Sequence, residues 1–112
     1  MSQQVIDLAH LSRQTAGDRD LERELLLLFV QQCARQLRTI HHSAEMRQRM
    51  DAAHTLKGAA LAIGAWQVAD AADVIERRLA DADEGGAQDA LDTLALAAAE
   101  ARAVIHRHDC AA

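Results

Sequence analysis

AHTLKGAALAIGA, residues 53–65, carries the pattern that decides the fold. Ala53, Leu56, Ala60 and Ile63 recur at intervals of three and four, which places them on one face of a helix, and Gly64 suits that helix's end. Past the glycine, Ala65, Val68, Ala72, Ile75 and Leu79 form a second stripe of the same period, so Gly64 reads as a corner between two helices. Upstream, Leu25, Leu28, Phe29, Leu37 and Ile40 mark the face of a long helix that begins near Leu21, with Asp18 or Asp20 as its cap. The break after it, at His41, His42 and Ser43, is weakly signed, and Ser43 is the expected N-cap of the next helix. Downstream, Asp81 to Gly86 is acidic, ends in a glycine pair and reads as a loop; Leu91, Leu94, Ala98 and Ile105 then give a last helix its buried face.

Composition agrees with helix throughout. Alanine dominates, proline is absent, glycine occupies five positions, and β-branched residues never cluster. A chain of 112 residues is enough for one domain, taken as 1–112, and too short for two independent cores. The expected architecture is all-α: an antiparallel four-helix bundle preceded by a short N-terminal helical segment around Val5 to Leu11.

The same composition excludes several functions. A formal net charge of -5, with 12 lysines plus arginines, argues against a nucleic-acid binder. Phe29 and Trp66 alone offer no stacking platform for single strands. The longest apolar run, Leu25 to Val30, is far shorter than the roughly 20 residues that cross a bilayer. Residues 1–10 lack a signal-peptide pattern, so a cytoplasmic location without membrane contact is expected. Cys33 and Cys110 cannot make a disulfide framework, in keeping with a reducing compartment, and Cys33 reads as a small buried residue. Because the chain starts at Met1 without a linker it is expected to be free-standing; a piece of a longer protein is the alternative.

On a wheel of about 100° per residue, His54 lies roughly 140° from the centre of the Ala53–Leu56–Ala60–Ile63 stripe and should face solvent. Arg47, Met50, Asp51, Gly58 and Leu61 fall on the same outer side. Gly58 sits mid-helix, where glycine costs about 1 kcal/mol relative to alanine, in a chain that uses alanine freely. A bare backbone one turn beyond His54 would let another protein or a phosphoryl group approach the imidazole. Lys57, the single lysine, can swing its ammonium toward the same space. An exposed neutral imidazole is a good nucleophile for phosphorus, and a nearby cation offsets the negative charge that then accumulates. Leu61 and Met50 complete an apolar rim of the kind that marks a docking site, with Arg47 and Asp51 beside it. The plain alternative is ordinary solvated surface, against which Gly58 weighs most.

His54-Thr55-Leu56-Lys57-Gly58, then Gly64-Ala65, Val68-Ala69 and Ile75-Glu76, strongly resembles the histidine-containing phosphotransfer (HPt) domains of bacterial two-component phosphorelays, whose pattern is H-x-L-K-G, G-A, aliphatic-Ala and aliphatic-Glu. The resemblance implies a phosphocarrier in which His54 takes a phosphoryl group, on Nε2, from a receiver-domain aspartate and gives it to another receiver. It implies that Lys57 steadies the phosphoryl oxygens and that Gly58 opens the approach. It also implies that Gln32, three residues after Phe29 on the long helix, hydrogen-bonds the other imidazole nitrogen; a helix-edge glutamine facing water is the alternative. The partners implied are response-regulator receiver domains and a sensor or hybrid histidine kinase, with Mg²⁺ held by the receiver and no cofactor held by this chain. Ala59-Ala60 departs from a commoner serine-containing pair, which removes any hydroxyl contact there.

No glycine-rich nucleotide-binding motif is present, so self-phosphorylation from ATP is not expected, and strand-end aspartates of a receiver are missing. A metal site at His106, His108, Asp109 and Cys110 matches no zinc spacing, and histidines opposing the helix dipole explain the cluster. Asp51-x-x-His54 is a single copy of a motif that a di-iron bundle needs in pairs. The remaining rival is a non-transferring helical adaptor; otherwise a monomer forming transient complexes is expected. Trp66 reads as a lid on the bundle end rather than a partner contact.

Overall fold

Five helices follow from local signals that close each end. The computed structural model describes residues 4–110. Asp7 caps α1 (Leu8–Thr15), its carboxylate accepting from the His10 amide, and Ala16 and Gly17 end it with positive φ. Asp18 caps α2 (Arg19–His42) through the Leu21 amide, which decides between the two aspartates considered. Helix α3 (Met46–Ile63) ends at Gly64 with φ +81, and α4 (Trp66–Ala80) leaves that corner at once. Helix α5 runs Glu84–Cys110.

Two expected boundaries are corrected. Ser43 is the C-cap of α2, its amide donating to Thr39, while α3 starts after Glu45. Ser43 Oγ instead accepts from the Glu45 amide and donates to Gln48. The loop expected over 81–86 is shorter, because Asp83 caps α5 through the Gly86 amide at 2.9 Å. Gly85 and Gly86 are thus first-turn residues, and a Cβ on Gly86 would press on the Asp83 carboxylate that makes the cap.

Helix α2 packs on α3, α3 on α4, α4 on α5, and α5 returns to α2, while α1 covers α2 and α3 at one end. Connections as short as Gly64-Ala65 reverse the chain, so this is the helical bundle expected, over 43 × 29 × 22 Å. One core runs through it, with Leu11, Ile40, Leu56, Val68, Ile75 and Leu94 as its largest fully buried side chains. Each contributes on the order of 1.5–3 kcal/mol relative to exposure. On α2 the buried face is Leu26, Phe29, Cys33 and Ile40; Leu28, expected inside, is 55% exposed. Four consecutive leucines read almost equally well on neighbouring faces, and tertiary packing buries Leu26.

The α3–α4 seam matters most for the site. Ala53 and Ala60 on α3 and Ala69 and Ala72 on α4 are buried on the sides of their helices that carry Lys57 and Glu76. Small side chains at a helix contact shorten the interaxial distance, which brings polar groups at the edge of the seam within bonding reach. At the other end, Arg49 donates to the Ile40 carbonyl at 2.8 Å and pairs with Glu84 at 3.2 Å, tying α2, α3 and α5 together.

Candidate functional site

His54 and Lys57 rise from α3 on adjacent turns, and α4 places Asp73, Glu76 and Arg77 opposite them. His54 Nδ1 lies 3.0 Å from Glu76 Oε2, with the histidine side chain 67% exposed and the glutamate 25%. The other oxygen, Glu76 Oε1, is 3.1 Å from Lys57 Nζ. Lys57 Nζ also donates to Asp73 Oδ1 at 3.3 Å, and Asp73 Oδ2 pairs with Arg77 Nε at 3.1 Å. One carboxylate therefore links the imidazole to the ammonium, and a second links that ammonium to a guanidinium.

This geometry has direct chemical consequences. An ionised carboxylate only accepts hydrogen bonds, so in the neutral ring the proton lies on Nδ1, facing Glu76, and the lone pair on Nε2. Among the described residues no protein group hydrogen-bonds Nε2. Positive charge developing on the ring during attack at Nε2 would be met by the carboxylate behind Nδ1. Lys57 is held above its ordinary 10.5, first by its hydrogen bond to Glu76 and then by the one to Asp73. It remains a cation in the functional pH range. Gly58 is exposed, and a Cβ added there would meet nothing within 4 Å. No contact inside the molecule requires the glycine, which leaves an open ridge beside the imidazole.

The Hpt domain family model matches residues 24–104. The chain belongs to the Hpt domain family. A crystal structure of histidine phosphotransferase ShpA from Caulobacter crescentus is similar to it, with 30% sequence identity, a TM-score of 0.59, and coverage of 94% of this chain and 98% of that one. No curated protein sequence matches the chain. The Hpt match spans most of α2, all of α3 and α4, and most of α5, so the four bundle helices carry the family's pattern while α1 lies outside it.

Within this Hpt domain the residues expected from sequence divide clearly. Arg47, Asp51, His54, Gly58 and Leu61 share the exposed side of α3; Arg47 and Asp51 form a solvated pair at 3.6 Å, and Leu61 is 46% exposed. Met50 is different: it packs half-buried against the core, so the apolar rim comes from Leu61 rather than from both. An unbranched thioether one position off the core stripe bends readily into it.

Gln32 does not hold the imidazole. Its Oε1 accepts from Gln36 Nε2 at 2.9 Å on its own helix, and Glu76 occupies the Nδ1 position instead. Lys57, expected to reach the space beside the imidazole, is anchored to α4 because two carboxylates lie within its reach. Glu76 stands in the sequence only as part of a motif, to which neither Asp73 nor Arg77 belongs. The available signal was their spacing: positions 73, 76 and 77 flank the buried Ala72 and Ile75, along the edge that meets α3.

Trp66 is the lid expected, its indole donating to Asp7 Oδ2 at 3.2 Å and meeting His10 edge-on at 4.9 Å. Gly64 is the corner, with its carbonyl accepting from the Asp7 amide at 2.9 Å. Cys33 is buried, and that burial pushes its thiol up to about 12. In the C-terminal cluster His106 and His108 are exposed, while the side chains of Asp109 and Cys110 lie outside the described residues. Among the described residues no group of three or more histidine, cysteine, aspartate or glutamate side chains could hold a metal ion. Among them, too, no helix is long and apolar enough to cross a membrane.

Proposed function

We propose that this Hpt domain is a phosphorelay carrier that accepts a phosphoryl group on His54 Nε2 from a receiver-domain aspartate and passes it to another receiver. The observation that carries the reading is the exposed imidazole with Nδ1 committed to Glu76 at 3.0 Å and Nε2 left open. In the transfer, the Nε2 lone pair forms the N–P bond as the P–O bond to the aspartate breaks. The electron pair of that bond leaves on the aspartate carboxylate. The Nδ1 proton stays in place toward Glu76, so the phosphorylated ring keeps its counter-charge. Passing the group on is the reverse step toward a second aspartate.

The receiver supplies the aspartate and the Mg²⁺ that steadies it; this chain holds neither and works as carrier rather than enzyme. Arg47, Asp51, Leu61 and the bare ridge at Gly58 form the surface on which the receiver seats, and a sensor or hybrid histidine kinase stands upstream. A carrier has to release each partner, so a monomer with small, transient interfaces fits the role.

The test mixes the purified chain with a phosphorylated receiver domain and Mg²⁺ and follows label on wild type and on His54→Gln. Acid-labile, alkali-stable label on the wild type alone is expected. Label on neither, across several receivers, would leave the adaptor reading, and equal label on both would mean that a different residue accepts the group.

A further inference from the structure

Of the two carboxylates that hold Lys57, Asp73 is the one that touches only cations. Its Oδ1 receives Lys57 at 3.3 Å and its Oδ2 receives Arg77 at 3.1 Å, whereas Glu76 divides itself between Lys57 and His54. The four side chains Lys57, Arg77, Asp73 and Glu76 balance in charge as they stand. A phosphoryl group on Nε2 would add about two negative charges beside two carboxylates. Lys57 is then wanted in two places, and its four-carbon stem allows it to occupy either.

We propose that Asp73 is a positioning residue that holds Lys57 in reserve and competes with the phosphoryl group for it, so that this carrier binds its cargo loosely and passes it on readily. The inference rests on His54 being the phosphoryl acceptor. The raised proton affinity of Lys57 agrees with the contact in the unloaded state. Arg77, 68% exposed on the next turn of α4, still pairs with Asp73 and orients it when Lys57 leaves.

Two measurements test this. Lys57 is the single lysine, so its ¹³Cε resonance is unique and its titration can be followed directly. In Asp73→Asn that titration should move down toward the ordinary value of 10.5, and Asp73→Glu should restore it. An unmoved titration would overturn the contact itself, whatever the chain does with phosphate.

In the second, the full chain is phosphorylated with phosphoramidate: Nε2 bonds to phosphorus as the P–N bond breaks, and ammonia leaves with that electron pair. The second ionisation of the phosphoryl group is then read by ³¹P resonance. In Asp73→Asn, Lys57, held by Glu76 alone beside the imidazole, should favour the dianion and lower that ionisation by about half a pH unit, the size of a partly exposed ion pair. In a Lys57→Gln background the same substitution should move it clearly less, because only the direct effect of the Asp73 charge remains. Equal shifts in the two backgrounds would overturn the competition while leaving His54 as acceptor. If phosphoramidate labels the wild type at no histidine, or labels His54→Gln equally, the carrier reading falls first and this inference with it.

Discussion

Glu76→Gln is the substitution that separates charge from geometry at His54. Glutamine keeps a carbonyl oxygen that can accept from Nδ1, so ring orientation survives while the counter-charge is lost. Removing a hydrogen bond that involves a charged group costs about 1.5–3 kcal/mol in a buried setting. Here the histidine side chain is 67% exposed and the glutamate 25%, so water screens part of it and about 1 kcal/mol remains. Expressed as a barrier, that is roughly a fivefold slower transfer, with Glu76→Ala slower still because orientation goes too. Asp73 still reaches Lys57 at 3.3 Å in the glutamine variant while the Glu76–Lys57 pair at 3.1 Å is lost, so repeating the substitution in a Lys57→Gln background isolates the part that belongs to the imidazole. The assay is the second-order rate of label transfer from a phosphorylated receiver, with helix content checked by circular dichroism. A rate equal to wild type in both variants would refute the argument that the carboxylate supports the attacking ring. A loss beyond about a hundredfold in the glutamine variant would refute it from the other side, by giving Glu76 a part in the bond-making step itself.

Further expectations concern Gly58, Gly64 and the N-terminal cap. Gly58→Ala should stabilise the domain by about 1 kcal/mol, since the added methyl meets nothing, whereas Gly58→Trp should keep helicity and abolish transfer; unchanged transfer in the tryptophan variant would remove the steric argument. Gly64→Val should cost about 2–4 kcal/mol in urea unfolding, because φ is +81 and its Cβ would sit 2.9 Å from Asp7 Cβ. A loss under about 1 kcal/mol would show that the corner relaxes. Asp7 is held below its ordinary 3.8, first by the His10 amide and then by the Trp66 indole. A depressed folded value means the contribution is present above about pH 4 and is lost as pH falls through the folded value. The urea midpoint of the wild type should therefore fall more steeply below about pH 4 than that of Asp7→Asn, and parallel curves would contradict this.

How much of this was legible beforehand depended on period and chemistry. The stripe Ala53, Leu56, Ala60 and Ile63 and the stripe Val68, Ala72, Ile75 and Leu79 are buried as read, because one face of each helix holds nearly all its aliphatic residues. Leu28 was misplaced because its neighbours are leucines too, so the period alone could not choose a face. The glycine pair at 85–86 looked like a loop, since glycine is a poor helix former, yet a single cap by Asp83 is enough to begin α5 one residue before it.

At the site, the sequence by itself determined the all-α bundle, the exposure of His54, the corner at Gly64 and the open backbone at Gly58, since each follows from spacing along one helix. The tertiary structure alone decided what faces His54: Glu76 rather than Gln32 at Nδ1, Lys57 drawn to Asp73 and Glu76, and Met50 turned toward the core. Helical periodicity fixes the direction of a side chain about its own axis. The rotation and distance of α4 against α3, set by the alanine-lined seam, fix which charges on the two helices come within 3 to 3.3 Å of one another.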